Sequence, residues 1–196
     1  MKRLGRVVRG TAETQVEVVW DLDGAGRFAG STRLPFLDHM LAQLARHGRF
    51  DLNVDARGDL EIDAHHTVED VGIALGRAFK DALGDGAGIT RFASAHAPLD
   101  ESLVLAAVDV SGRPYLHYAV PVPRQRLGDY DTDLTEEFFR AFAMNAGITL
   151  HLVLVHGRNA HHIIEAAFKA LALALDRASR MDPRVQGVPS TKGTLT

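Results

Sequence analysis

The sequence predicts an α+β fold made of one unit used twice, as two internally duplicated half-domains. Three observations carry this. The stretch Ala64-His65-His66-Thr67-Val68-Glu69 returns as Ala160-His161-His162-Ile163-Ile164-Glu165, 96 residues later. The stretch from Glu13-Thr14 to Asp21-Leu22-Asp23-Gly24 returns as Glu101-Ser102 to Asp109-Val110-Ser111-Gly112, 88 residues later. Each copy also carries strand-like alternation and helix-like apolar stripes in a matching order. A changing offset is what loop insertions leave behind, and a period this long points to duplication rather than a solenoid. Residues 1–90 are read as the first half, 91–180 as the second, and 181–196 as a C-terminal tail.

Each half reads strand, strand, helix, strand, strand, helix. In the first, Val16, Val18, Trp20 and Leu22 alternate with more polar positions, as a half-buried strand requires, and Asp23-Gly24-Ala25-Gly26 turns the chain. Pro35 suits the first position of a helix that ends near Gly48. Phe50, Leu52 and Val54 alternate again, and Arg57-Gly58-Asp59 makes a turn. Asp63 is placed to cap a helix whose apolar stripe is Val68, Val71, Leu75, Ala78, Phe79 and Ala82.

The second half follows with a strand over Leu103 to Val110, a turn at Ser111-Gly112-Arg113-Pro114, a helix around Glu136 to Asn145 and a strand over Ile148 to Val155. Asn159 caps the last helix, along which Ile164, Ala167, Phe168, Leu171 and Leu175 share one face. Pro121 to Asp133 is polar and proline-interrupted and reads as a loop, and Met181 to Thr196 as a tail.

Composition narrows the function. With 196 residues, 46% of them hydrophobic, the chain can bury a core, and a net charge of −3 gives no basic face for nucleic acid. No apolar run approaches the ~20 residues of a membrane span, and no apolar stretch follows Met1 to Gly5 as a secretory signal requires. The absence of cysteine excludes disulfides and thiolate metal sites and fits a reducing cytoplasm. Ten histidines, several of them clustered, stand out instead.

Residues four apart on a helix lie nearly above one another, so His65 shares a face with Glu69, and His161 with Glu165. Such an imidazole and carboxylate can chelate one ion. His66 and His162 point about 100° away around the helix. Each can serve the ion held by the other helix if the two lie side by side or meet across subunits, which makes two pseudo-equivalent sites. A lone His-His pair is usually solvated, but four histidines and two carboxylates at identical spacing have no packing explanation. Nitrogen and carboxylate donors without sulfur suit Mn, Fe, Co, Ni or Zn. His39 and its repeat partner Glu137 are further candidate ligands.

The matching stretches LPFLDHMLAQLARHG (34–48), DAHHTVEDVG (63–72), PLDESL (98–103), DVSGRPY (109–115), FFRAFAMNAGITLH (138–151), GRNAHHIIE (157–165) and PSTKG (189–193) span nearly the whole chain. In them the chain resembles the imidazoleglycerol-phosphate dehydratase family of histidine biosynthesis. That resemblance implies a helical bundle packed between two four-stranded mixed sheets. It implies two Mn2+ per active site and a cytoplasmic homo-oligomer of 24 subunits with active sites shared between subunits. The reaction it implies is loss of water from imidazole glycerol phosphate to give imidazole acetol phosphate.

It places His65, Glu69 and His162 on one ion, with Glu137 beside them, and His39, His66, His161 and Glu165 on the other. The family often has histidine at the position of Glu137, so His151 or water is an alternative ligand there. Catalytic candidates are Glu13, Glu69 and Glu165, with Glu13 first for proton transfer. Arg91, Arg113, Ser190 and Lys192 match phosphate contacts, for which Arg offers a bidentate fork and Lys a point charge. Gln43 matches a position facing substrate. Two other classes use the same ligands: a binuclear metallohydrolase, and a non-catalytic assembly held together by metal, which would not need Glu13 or Lys192.

Overall fold

The computed structural model describes residues 2–195; Met1 and Thr196, the outer ends of the first half and of the tail as read above, lie outside the described residues. The chain runs β1 (Leu4–Gly10), β2 (Thr14–Asp21), β3 (Phe28–Ser31), α1 (Pro35–Gly48), β4 (Asp51–Gly58) and α2 (His65–Leu83). It continues through β5 (Phe92–Leu99), β6 (Ser102–Asp109), β7 (Tyr115–Ala119), β8 (Arg126–Leu127), β9 (Tyr130–Asp131), α3 (Leu134–Ala146), β10 (Thr149–His156) and α4 (Ala160–Ser179).

One four-stranded sheet has the order β1-β2-β4-β3 and the other β5-β6-β10-β7. In each, the first three strands in spatial order pair antiparallel and the last joins parallel. The fold is therefore α+β, with four helices and two mixed sheets of one topology. Helix α2 lies on the first sheet and α4 on the second, while α3 packs on α2 and α1 on α4.

Period-two burial explains the sheets. In β2, Thr14, Val16, Val18 and Trp20 are buried while Gln15 and Glu17 are exposed. Trp20 meets Phe50 edge-on at 5.3 Å and Phe79 at 5.4 Å, which ties the first sheet to α2. Phe138 and Phe139 of α3 stack on Phe168 of α4 at 4.9 and 4.8 Å within the second half, and Phe142 of α3 meets Trp20 and Phe79 at 6.1 Å and joins the halves. Helices α2 and α3 approach closely because Gly72 and Gly76 carry no side chain. A Cβ on Gly76 would stand 2.5 Å from the carbonyl oxygen of Phe142.

Two sequence expectations need correction, the strand order and the Pro121 to Asp133 loop. In each half three strands of the four-stranded sheet, not two, precede the first helix, and one strand rather than two separates its helices. Residues after Gly58 turn directly into α2, where the Ile62 amide donates to the Asp59 carbonyl. Helix α1 ends at Gly48 as expected, the residue that follows, Arg49, is left-handed (φ 58°), and a Cβ on Gly48 would stand 2.2 Å from the Phe50 ring. The loop from Pro121 to Asp133 contains the two-stranded β8-β9 ribbon, anchored by buried Tyr130 and Thr132. The segment from Met181 packs back on the chain: Met181 bridges to Ile89, and the Gly88 amide donates to the Gly187 carbonyl.

Candidate functional site

Side chains fix the starts of the two His-His helices. Asn159, in an extended conformation, accepts the amides of His161 and His162, satisfying donors that a first turn leaves without partners. At α2, Asp63 accepts the His65 amide at 2.7 Å, one residue outside the helix's assigned cap. These caps set where each His-His pair falls on the first turn.

On α4 the first histidine of the pair is drawn into a cluster. His161 Nε2 lies 3.1 Å from Glu165 Oε2, and His39 Nε2, reaching across from α1, lies 3.0 Å from the same oxygen. Lys169, one turn further on, pairs with the other carboxylate oxygen at 2.6 Å. Ligand atoms of His39, His161 and Glu165 all lie within 4.8 Å of one another, the one such group of three among the described residues. Glu165 is buried. Burial alone would raise its pKa, but the hydrogen bonds from Lys169, His39 and His161 outweigh this and hold it below the ordinary carboxylate range. Two imidazole nitrogens converging on one buried carboxylate oxygen are a donor set that fits a divalent transition metal.

The matching group on α2 is open. His65 Nε2 is 4.0 Å from Glu69 Oε2, and both side chains are nearly half exposed. No third ligand joins them among the described residues. The second histidines turn elsewhere. His66 Nδ1 meets both carboxylate oxygens of Asp59 at 3.2 and 3.0 Å, and Glu13 stands 3.8 Å away. His162 Nδ1 meets Glu101 Oε2 at 2.7 Å. Asp59 raises the pKa of His66 by this hydrogen bond, and Glu101 does the same to His162. The same bond, with the amides of Asn159 and Arg158, holds the Glu101 carboxyl well below the usual range. Within one chain, then, neither His66 with His39 nor His162 with His65 and Glu69 forms a three-ligand group among the described residues.

The other expected residues are spread over several places. Gln43 lies one turn beyond His39 on α1 and bonds His47 at 3.1 Å; burial, then Lys169 nearby, pushes the His47 pKa down. Arg91 grips Asp109 with Nε at 2.8 Å and Nη2 at 3.3 Å, and donates from Nη1 to the Pro189 carbonyl at 2.7 Å. That bond ties the C-terminal segment to β5. Arg113 is more than half exposed and 3.6 Å from Asp109. The Ser190 hydroxyl accepts the Lys192 amide, while no described residue pairs with the Lys192 ammonium. Glu137 lines a cleft with Tyr118, Arg124 and Asp133, and His151 stacks near His117 at 5.2 Å on the second sheet; neither forms a three-ligand group with His65 and Glu69 among the described residues.

Asp59, Glu101 and Lys169 are the partners that sequence reasoning missed. Lys169 was within reach, four residues after Glu165, and Glu101 already stood out as the repeat partner of Glu13. Asp59 left no signal, since its seven-residue separation from His66 crosses a turn.

A family model described as imidazoleglycerol-phosphate dehydratase matches residues 32–175. The imidazoleglycerol-phosphate dehydratase of Symbiobacterium thermophilum is 62% identical over 194 residues, covering 99% of this chain and 93% of that protein. That of Caldanaerobacter subterraneus subsp. tengcongensis is 55% identical, covering 98% of this chain and 100% of that protein. A crystal structure of the Staphylococcus aureus enzyme superposes with a TM-score of 0.82 at 36% identity, covering 91% of this chain and 99% of that one. The structure from Pyrococcus furiosus gives 0.82 at 37% identity, with 96% and 100% covered.

Proposed function

The chain belongs to the imidazoleglycerol-phosphate dehydratase family, hydro-lyases of histidine biosynthesis, and on that premise we propose that it removes water from imidazole glycerol phosphate with two bound divalent metal ions. The observation that carries the metal reading is the convergence of His39 and His161 on buried Glu165. Mn2+ fits this donor set, and His66 from a second copy of the chain is the fourth ligand. His65 and Glu69 hold the other ion with His162 from another copy, and Glu137, His151 or water fills the remaining place.

Bound metal supplies Lewis acidity toward a ring nitrogen of the substrate. The chain's own groups do the rest. Glu13, exposed beside His66, takes the proton from the side-chain carbon, which no adjacent carbonyl makes acidic, and the hydroxyl expelled from the neighbouring, ring-bearing carbon completes the water that leaves. Glu69 and Glu165 hold the ions, and Gln43 orients the ring. Arg113, Ser190 and Lys192 bind the phosphate, while Arg91 pins the segment that carries the last two. Holding the phosphate fixes the reacting carbon near the ring-binding end of the site.

Shared ligands make the enzyme an assembly of copies, and 24 subunits with active sites between them is the reading adopted here. Exposed Val8, Ile62, Phe92 and Tyr115 support it, because apolar side chains of this size gain by being covered. The halves 1–90 and 91–180 each supply one motif helix, and the segment from 181 supplies phosphate contacts. No described helix is long and apolar enough to cross a membrane, and a cysteine-free chain suits a reducing cytoplasm. Turnover of imidazole glycerol phosphate to imidazole acetol phosphate by the Mn2+-loaded protein tests the reading. Release of inorganic phosphate instead would favour a metallohydrolase.

A further inference from the structure

The second histidine of each pair is held by a carboxylate from outside its own helix. We infer that Glu101 and Asp59 are positioning residues that orient His162 and His66 and leave Nε2 as the metal-directed nitrogen. This rests on the reading above that both histidines are metal ligands. A neutral imidazole carries one proton, and a carboxylate facing Nδ1 draws the proton there and leaves the lone pair on Nε2. The contacts are 2.7 Å to Glu101 and 3.0 and 3.2 Å to Asp59. Each also fixes the ring plane.

The two halves build this device from different parts. Glu101 sits in the turn between β5 and β6 and also accepts the amides of Asn159 at 2.8 Å and Arg158 at 3.2 Å, so it clamps the approach to α4. Its repeat partner Glu13 has no such task. Asp59, in the turn after β4, holds His66 instead, and its carboxylate has no other bond among the described residues. Glu13 is left 3.8 Å from His66 with its side chain 55% exposed. The substitution of partner in the first half thereby frees one glutamate of a duplicated pair for chemistry.

Mn2+ titration calorimetry on the full-length protein tests this with Asp59→Ala, Glu101→Gln, His66→Ala, His162→Ala and the two double variants. Loss of a carboxylate that orients a metal-bound histidine lowers metal affinity by about 10–100-fold, so each carboxylate variant is expected to weaken Mn2+ binding in that range. Adding Asp59→Ala to His66→Ala, or Glu101→Gln to His162→Ala, should cost nothing more, since each carboxylate acts through its histidine. Histidine variants that bind Mn2+ normally would overturn the ligand reading, and the proposal with it. Weak binding by the histidine variants beside normal binding by the carboxylate variants would overturn the positioning role alone, as would additive losses in the doubles. Should Glu101→Gln lose its far-UV circular dichroism because the α4 clamp fails, the Asp59→Ala arm, which breaks no backbone bond, decides the question.

Discussion

Helices α2 and α4 open with the same His-His-x-x-Glu element, yet their glutamates live in different surroundings. Glu165 is buried and meets two histidines and a lysine; Glu69 is half-exposed and meets one histidine at 4.0 Å. Their neighbouring helices account for this. Helix α1 lies on α4 and delivers His39, whereas α3 lies on α2 against Gly72 and Gly76 and delivers apolar side chains. The motif sets the spacing of ligands, but the packed neighbour decides how many of them one chain brings together. In this account three ligands of the α4 site are assembled within the chain and a fourth comes from another copy, whereas the α2 pair has no third ligand until another copy supplies one.

The largest effect expected is from metal removal, which strikes both helices at once. Chelation should abolish turnover and shift light scattering toward smaller species, because ligands brought together from separate copies couple metal binding to assembly. A metal-free protein of full size and unchanged thermal stability would break the claim that α2 is completed by a second copy.

Next in size is a pair of substitutions read on the metal-free chain. Glu165→Ala leaves the mostly buried Lys169 ammonium without its carboxylate and should cost about 3–5 kcal/mol in denaturant unfolding. Glu69→Ala removes an exposed contact and should cost at most about 1 kcal/mol. Equal losses would erase the distinction between the two helices. Both variants should lose metal and activity, measured by elemental analysis and kcat/KM.

Lys192→Ala asks what the segment following the second half adds. It should lower kcat/KM by roughly tenfold, the value of a charged hydrogen bond, with metal content and particle size unchanged. Removing residues 189–196 should act in the same direction and more strongly, since Arg91 also loses its Pro189 partner.

The smallest effect contrasts the first residues of β4 and β10. Asp51 bonds the Arg27 guanidinium and the amides of Ala25 and Arg27, which hold it well below the ordinary aspartate range. Thr149, at the matching place, carries no charge. A depressed folded pKa adds stability above the unfolded value and loses it as pH falls toward the folded one. Asp51→Asn should therefore destabilise slightly at neutral pH, and the difference from the parent should shrink as pH falls below about 4, the ordinary aspartate range. Urea midpoints across acid pH measure it.

Much of this was legible in the residues. Trp20 and its alternating neighbours mark β2, Pro35 marks the start of α1, and Asn159 caps α4 as its sequence position suggests. The edge strand β3 was missed because Phe28 to Ser31 is only four residues long and ends in Gly30 and Ser31, with little alternation to read. The β8-β9 ribbon hid behind Pro121 and Pro123, its two-residue strands being held by tertiary burial of Tyr130. Within the site, helical spacing gave His161 with Glu165. The arrival of His39 depends on how α1 packs on α4, and the Asp59 contact on a turn, and neither leaves a periodic trace.

Anomalous scattering at the manganese edge, from crystals of the Mn2+-loaded protein, tests the central claim most directly. The account predicts one peak coordinated by His39, His161 and Glu165 of one chain with His66 of another. It predicts a second at His65 and Glu69 of one chain with His162 of another. A map in which Glu165 keeps its bonds to His39 and His161 and shows no peak, or in which a single chain supplies every ligand of both ions, would contradict it.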